Sequence, residues 1–288
     1  MGKVNSYGWK AVIGSSIGYA MDGFDLLILG FMLSLISGDL GLTTGQAGSL
    51  VTWTLVGAVI GGLVFGSLSD RFGRVRVLTW TIVLFAVFTG LCAFAQGYWD
   101  LQIFRTIAGI GLGGEFGIGM ALAAEAWPAQ HRAKATSYVA IGWQIGVLAA
   151  AILTPLLLPH IGWRGMFMVG VIPALVAWIF RSRLREPEIF VQAQENREDS
   201  QKNSFKLLVK VLKTTKTSIC VTILTSVQNF GYYGIMIWLP NFLSKQLGFS
   251  LTKSGLWTAI TVCGMLVGIW VFGRLADRIG RKPTFILF

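Results

Sequence analysis

Five stretches of this chain, 40–69, 77–99, 135–163, 217–244 and 254–273, contain no Asp, Glu, Lys or Arg. Each reaches or nearly reaches the roughly 20 apolar residues that a helix needs to cross a bilayer. The composition agrees: 54% of residues are apolar and 13% charged, where a soluble globular chain carries about 25% charged residues. A soluble protein so poor in charge would expose too much apolar surface. A soluble enzyme and a disordered chain are both excluded. The fold class is an all-α polytopic membrane protein.

A shorter uncharged window, 165–180, is flanked by Arg164 and Arg181, which can snorkel and extend it. Residues 11–36 and 101–124 also read as spans, despite charges within them. The first of these is too long for a signal-peptide core and is interrupted by Asp22 and Asp25, so it is expected to be a retained helix. The total is eight helices, with 283–288 opening a ninth. Cys92, Cys220 and Cys263 all lie inside apolar runs and are expected to be packing residues.

The net charge of +11 would suggest nucleic acid in a soluble chain. Here the basic residues lie between apolar stretches and form no single patch, so no nucleic-acid partner is expected. Their distribution sets orientation instead. With a cytoplasmic N-terminus, 20 of the 24 Lys and Arg fall in inside segments, and only Arg164, Lys245 and Lys253 fall outside. The chain therefore reads as a multi-pass protein of the plasma (inner) membrane with its N-terminus in the cytoplasm.

Three regions follow: a six-helix bundle over 1–180, a cytoplasmic linker over 181–216, and the first part of a second bundle over 217–288. Within the linker, Phe205, Leu208, Val209 and Leu212 share a helical face, with Lys206, Lys210 and Lys213 on another. That pattern suits a helix on a membrane surface and equally a solvated hinge.

A repeat links the two halves. Gly66-Ser-Leu-Ser-Asp70-Arg71-Phe-Gly73-Arg74 follows the second helix, and Gly273-Arg-Leu-Ala-Asp277-Arg278-Ile-Gly280-Arg281 follows the eighth, 207 residues later. Parallel six-helix repeats are a transporter architecture. Gly66 is expected to let neighbouring backbones approach, Gly73 to permit a tight turn, and Asp70 to meet Arg74 four residues on.

These residues resemble the signature loop of the major facilitator superfamily. The resemblance implies twelve helices in two bundles, so that this chain corresponds to about two-thirds of such a protein. It also implies that the cluster latches the cytoplasmic side when the carrier is open outward, and that Asp277 faces the fifth helix.

Ionisable residues inside spans are costly and mark function by default. Four qualify: Asp22, Asp25, Arg105 and Glu115. The two aspartates, three apart, share one face of the first helix. Burial disfavours a charged carboxylate and a nearby guanidinium favours it, so an Asp alternating between those settings could load and release a proton. Arg105 would pair with an Asp or with an anionic substrate. A static ion pair between helices one and four is the alternative, and it leaves two acids over.

The segment Arg105-Thr-Ile-Ala-Gly109-Ile-Gly111-Leu-Gly113-Gly114-Glu115 resembles the family's proton-transfer motif, though its glycines also suit close packing. With Asp22-Gly-Phe-Asp25 it is similar to the metabolite:proton symporters, nearest to carriers of sialate and other carboxylates, with aromatic-acid and nicotinate carriers close behind. Glu125-Ala-Trp127-Pro128 followed by Arg132 fits the same group. Candidate cavity residues are Tyr19, Gln144, Gln228, Asn229, Tyr232 and Tyr233, each equally suited to a packed interhelical hydrogen bond. Glu125, Arg132 and Arg185 could form a cytoplasmic gate network, or ordinary surface pairs.

The expected function is proton-coupled symport of a small organic anion by alternating access. The expected partners are the anion, protons and lipid, with no cofactor or metal and a monomer as the working unit. The alternatives are a uniporter or exporter of a neutral solute, and a truncated membrane protein that does not transport.

Overall fold

The computed structural model describes residues 6–182, 184, 186, 190 and 212–287. Helix α1 spans Ser6–Leu40, α2 Thr44–Phe72, α3 Arg74–Cys92, α4 Tyr98–Glu125 and α5 Arg132–Arg181. After the linker come α6, Leu212–Lys245; α7, Leu251–Ile279; and α8, Arg281–Leu287. No strand occurs among the described residues. Helix α5 is two spans in one, because Gly162 (φ 65°, ψ −179°) breaks it after Pro155 and Pro159. Counting its arms separately, every span expected from the sequence is a helix, and α8 is the ninth one opening.

Local chemistry sets the ends. Thr43 caps α2 by accepting from the Gln46 N–H, while the Gln46 side chain accepts from the Thr43 N–H, a reciprocal capping box. Ser250 caps α7 through the Lys253 N–H. The repeated motif closes on the same backbone turn in both copies, at Gly73 (φ 106°) and Gly280 (φ 92°). L side chains rarely adopt such angles, so both glycines are required by conformation.

Helices α1 to α5 and α7 are long and apolar enough to cross a membrane. Helix α6 is of similar length but richer in Thr, Ser, Gln and Asn, and falls outside that group. About 52 Å long at 1.5 Å per residue, α1 is the central post, with 78% of its most apolar stretch buried. It packs on α4, α5 and α6; α2 lies on α4, α3 on α4 and α5, and α7 on α5. Outward positions such as Ile103, Leu156 and Ile172 are exposed and apolar, the exterior that lipid, not water, tolerates.

Between helices in lipid there is little hydrophobic driving force, and small residues that permit close contact supply the packing. A Cβ on Gly142 or Gly146 of α5 would strike the Ser16 or Ala20 carbonyl of α1. Gly57 and Gly61 of α2 meet Thr106 and Ile110 of α4 in the same way, and Gly109 and Gly113 of α4 meet Thr54 and Ala58. The glycines of the helix-four motif are thus engaged in packing.

Gly66 has no neighbour within 4 Å among the described residues, while its counterpart Gly273 lies against Ser137 and Ala133 of α5. Cys92 is buried as expected, but Cys220 and Cys263 are exposed, on the outer faces of α6 and α7. The proposed surface helix around Phe205 lies outside the described residues.

Candidate functional site

Four charged side chains from three helices are buried in the middle of the first bundle and form two ion pairs. Arg105 of α4 grips Asp25 of α1 with both ends of its guanidinium, Nη1 to Oδ1 at 3.0 Å and Nη2 to Oδ2 at 2.7 Å. Both residues are fully buried. Such fork-to-fork pairing fixes geometry as well as charge.

The second pair was not foreseen. Arg181, in the last turn of α5, is 1% exposed and lies 2.6 Å from Glu115 of α4. Its Nη1 also donates to the Leu78 carbonyl and its Nη2 to the Gly14 carbonyl, while Thr81 donates to Glu115 at 2.7 Å. Gly18 makes room for this cluster, since a Cβ there would meet both the Arg181 guanidinium and the Glu115 carboxylate. Arg181 therefore points into the bundle and does not snorkel.

Asp22 lies between the two pairs along α1, roughly 6 Å beyond Gly18 and 4.5 Å short of Asp25 by helix rise. It is completely buried, and neither carboxyl oxygen has a hydrogen-bond partner among the described residues. Buried polar groups without partners are rare and call for a reason.

Asp22 also contributes to the wall of a cavity of about 920 Å³ between α1, α2, α4, α5 and α6. Tyr19, Asn229 and Tyr233 line it as expected, together with Ser49, Thr52, Phe116, Trp143, Ser226 and Trp238. Tyr19 packs against Phe116 and Trp143. Tyr232 accepts a 2.7 Å hydrogen bond from Trp143 Nε1, and Gln144 is buried with its Oε1 unpartnered among the described residues; neither Tyr232 nor Gln144 is among the lining residues. Among the described residues Gln228 lies outside the lining while Asn229 belongs to it, since adjacent helical residues diverge by about 100°. Trp143 was missed; its place between two glycines that bring α5 onto α1 was the available signal.

At the bundle end that carries the first motif, Arg74 pairs with Asp70, as expected, and donates to Ser69 at 2.8 Å. Glu125 pairs with Arg74 at 3.2 Å and not with Arg132, which is exposed and makes no ion pair among the described residues. Arg185 lies outside the described residues. Glu186 accepts from the Val75 and Arg76 N–H groups, placing an anion at the N-terminus of α3. Arg71 lies against the Phe72 ring. In the second copy, α7 meets the start of α5 through Gly273, Asp277 has one oxygen buried without a partner among the described residues, and Arg278 is exposed. The side chain of Arg281 lies outside the described residues.

No group of three or more His, Cys, Asp or Glu among the described residues could hold a metal ion. The sequence profile of the Major Facilitator Superfamily matches residues 15–288. The chain belongs to the major facilitator superfamily.

A candidate metabolite transport protein of Haemophilus influenzae is 76% identical over 99% of this chain and 72% of its own length. The sialic acid transporter NanX of Escherichia coli is 32% identical over 99% and 69%, and the cis,cis-muconate transport protein of Acinetobacter baylyi 30% over 98% and 70%. This superfamily chain thus spans about seven-tenths of the length of these relatives. The xylose transporter XylE from E. coli, in a partially occluded inward-open conformation, matches with a TM-score of 0.73 at 20% identity over 96% of this chain and 75% of that one, which shows the shared fold. The superfamily and these relatives are transport proteins, not enzymes.

Proposed function

We propose that the protein carries a small organic anion across the inner membrane together with a proton, by alternating access, with its N-terminus on the cytoplasmic side. The observation that supports this reading is Asp22, a buried carboxyl with neither oxygen bonded, on the wall of a large cavity.

Among the described residues no Lys, Arg or His lines that cavity, and both nearby arginines are already paired. An anion in it would meet an ionised Asp22 as a like charge, which is strongly disfavoured at low dielectric. Protonating Asp22 removes the repulsion and provides a donor. Substrate and proton are then accepted together, and loss of one favours loss of the other. The hydroxyl and amide groups of Tyr19, Ser49, Thr52, Ser226, Asn229 and Tyr233 supply the remaining hydrogen bonds. Arg105 acts through Asp25, holding α1 to α4 as the cavity changes access. The relatives named for sialic acid and cis,cis-muconate support a carboxylate as cargo.

The test is the external pH of de-energised, weakly buffered cells containing the protein, on adding sialate, nicotinate or benzoate. Alkalinisation with one acid, lost in Asp22→Asn, is the expected result. A cavity lined without cations also suits a neutral solute, the second reading. Uptake of the cargo with no pH change, unaltered in Asp22→Asn, would favour it and sink the first.

A further inference from the structure

Three acids and two arginines are enclosed together in the first bundle: Asp22 and Asp25 on α1, Glu115 and Arg105 on α4, and Arg181 on α5. Among the described residues the phenols Tyr232 and Tyr233 of α6 and Tyr19 of α1 face this group on the Asp22 side, and the neutral thiol of Cys92 on α3 faces Arg105 and Asp25. With every acid ionised the enclosed set would carry one uncompensated negative charge. An isolated buried carboxylate is costly enough that it takes up a proton instead. The set therefore holds one proton, and the arginines decide where.

Arg105 engages both oxygens of Asp25. Arg181 lies within 2.7 Å of both Glu115 oxygens and is anchored by the carbonyls of Gly14 and Leu78. Asp22, one turn from Gly18, is the acid left over.

We infer that Arg181 is a positioning residue for the coupling proton: by holding Glu115 as a carboxylate, it makes Asp22 the single acid in the set that is protonated. The purpose of this arrangement rests on the transport reading above, but the charge count can be tested without any transport.

Infrared spectroscopy of the purified protein in lipid at neutral pH reports neutral carboxylic acids by their C=O stretch, and exchange into heavy water selects the buried ones. The wild type should show one such band, and Asp22→Asn none. Arg181→Gln strands Glu115 and should show two, a twofold rise. Glu115→Gln leaves two acids for two arginines, so Asp22 should ionise against Arg181 and the band should vanish. The double variant Arg181→Gln/Glu115→Gln should regain one band, and Arg181→Lys should keep one.

The double variant fixes the place of the proton. With Glu115 gone and Asp25 held by Arg105, its band belongs to Asp22. The wild-type band should stand at the same frequency, whereas a wild-type band elsewhere puts the proton on Glu115 and overturns the inference. The double variant also contains no stranded charge, so it serves where Arg181→Gln does not fold. A wild type without a band, an Arg181→Gln spectrum like the wild type, or a double variant without a band overturns the inference. If the bands follow the count but adding acids moves no protons, the charge assignment stands and the transport reading fails.

Discussion

Asp22 and Asp25 sit three residues apart on one helix, equally buried, yet their surroundings differ completely. Asp25 is held by two hydrogen bonds from Arg105, while Asp22 has none. Burial is common to both, so burial does not assign their roles. The partner does. On the transport reading proposed above, the carboxylate gripped by a guanidinium serves to hold two helices together and the unpartnered one serves to carry the proton.

The sharpest way to break this contrast is Asp25→Asn. It breaks the buried fork-to-fork pair with Arg105; Asp22 then ionises to balance the charge, but it lies one turn away and does not replace that pair. Breaking a buried pair costs about 3–5 kcal/mol, and the thermal unfolding temperature of the solubilised protein should fall more than for any other change considered. Next is Gly18→Ala. Its methyl group would enter the space of Arg181 and Glu115, and overpacking of this kind costs about 1–3 kcal/mol. A variant as stable as wild type would mean that the cluster can shift away from α1 freely.

Removing both partners should cost less than removing one, because no guanidinium is left without its partner. Asp25→Asn/Arg105→Gln is expected to recover most of the stability lost in Asp25→Asn, measured in the same melts. The smallest effect belongs to Asp22→Asn. It replaces a group that makes no hydrogen bond, so the unfolding temperature should stay near the wild-type value while proton-linked uptake disappears. A large drop in stability would show that Asp22 is structurally paired after all.

Much of the architecture was readable in advance because the bilayer imposes length and apolarity on each span. The positions of all the helices, the Gly73 and Gly280 turns and the Asp70–Arg74 contact depend on local pattern alone. The partner of Asp25 was within reach, since Arg105 was the one cation expected inside a span. Other features depend on how helices sit against each other, which spacing does not encode. Arg181 looked like an anchor because it closes a short apolar window, and only the packing of α5 on α1 and α3 turns it inward. Gln228 and Asn229 are adjacent, and choosing between them needs the rotation of α6. Glu125 had Arg132 nearby in sequence, but the end of α4 lies beside the start of α3, so Arg74 reaches it first.

At the end of the bundle opposite the first motif, Arg164 donates to Asp39 at 2.6 Å and to the Ala95 carbonyl at 3.2 Å, while Trp163 also donates to Asp39. One guanidinium thus gathers the end of α1, the α3–α4 turn and the segment of α5 just past its break. Unlike the interior pairs, Arg164 and Asp39 are each 47% exposed, within reach of dissolved ions that screen exposed charges over about 8–10 Å at ordinary ionic strength. The molecule consequently has a salt-sensitive clasp at one end and salt-indifferent pairs at its centre, so raising the ionic strength loosens the rim of the bundle while leaving its charged interior in place.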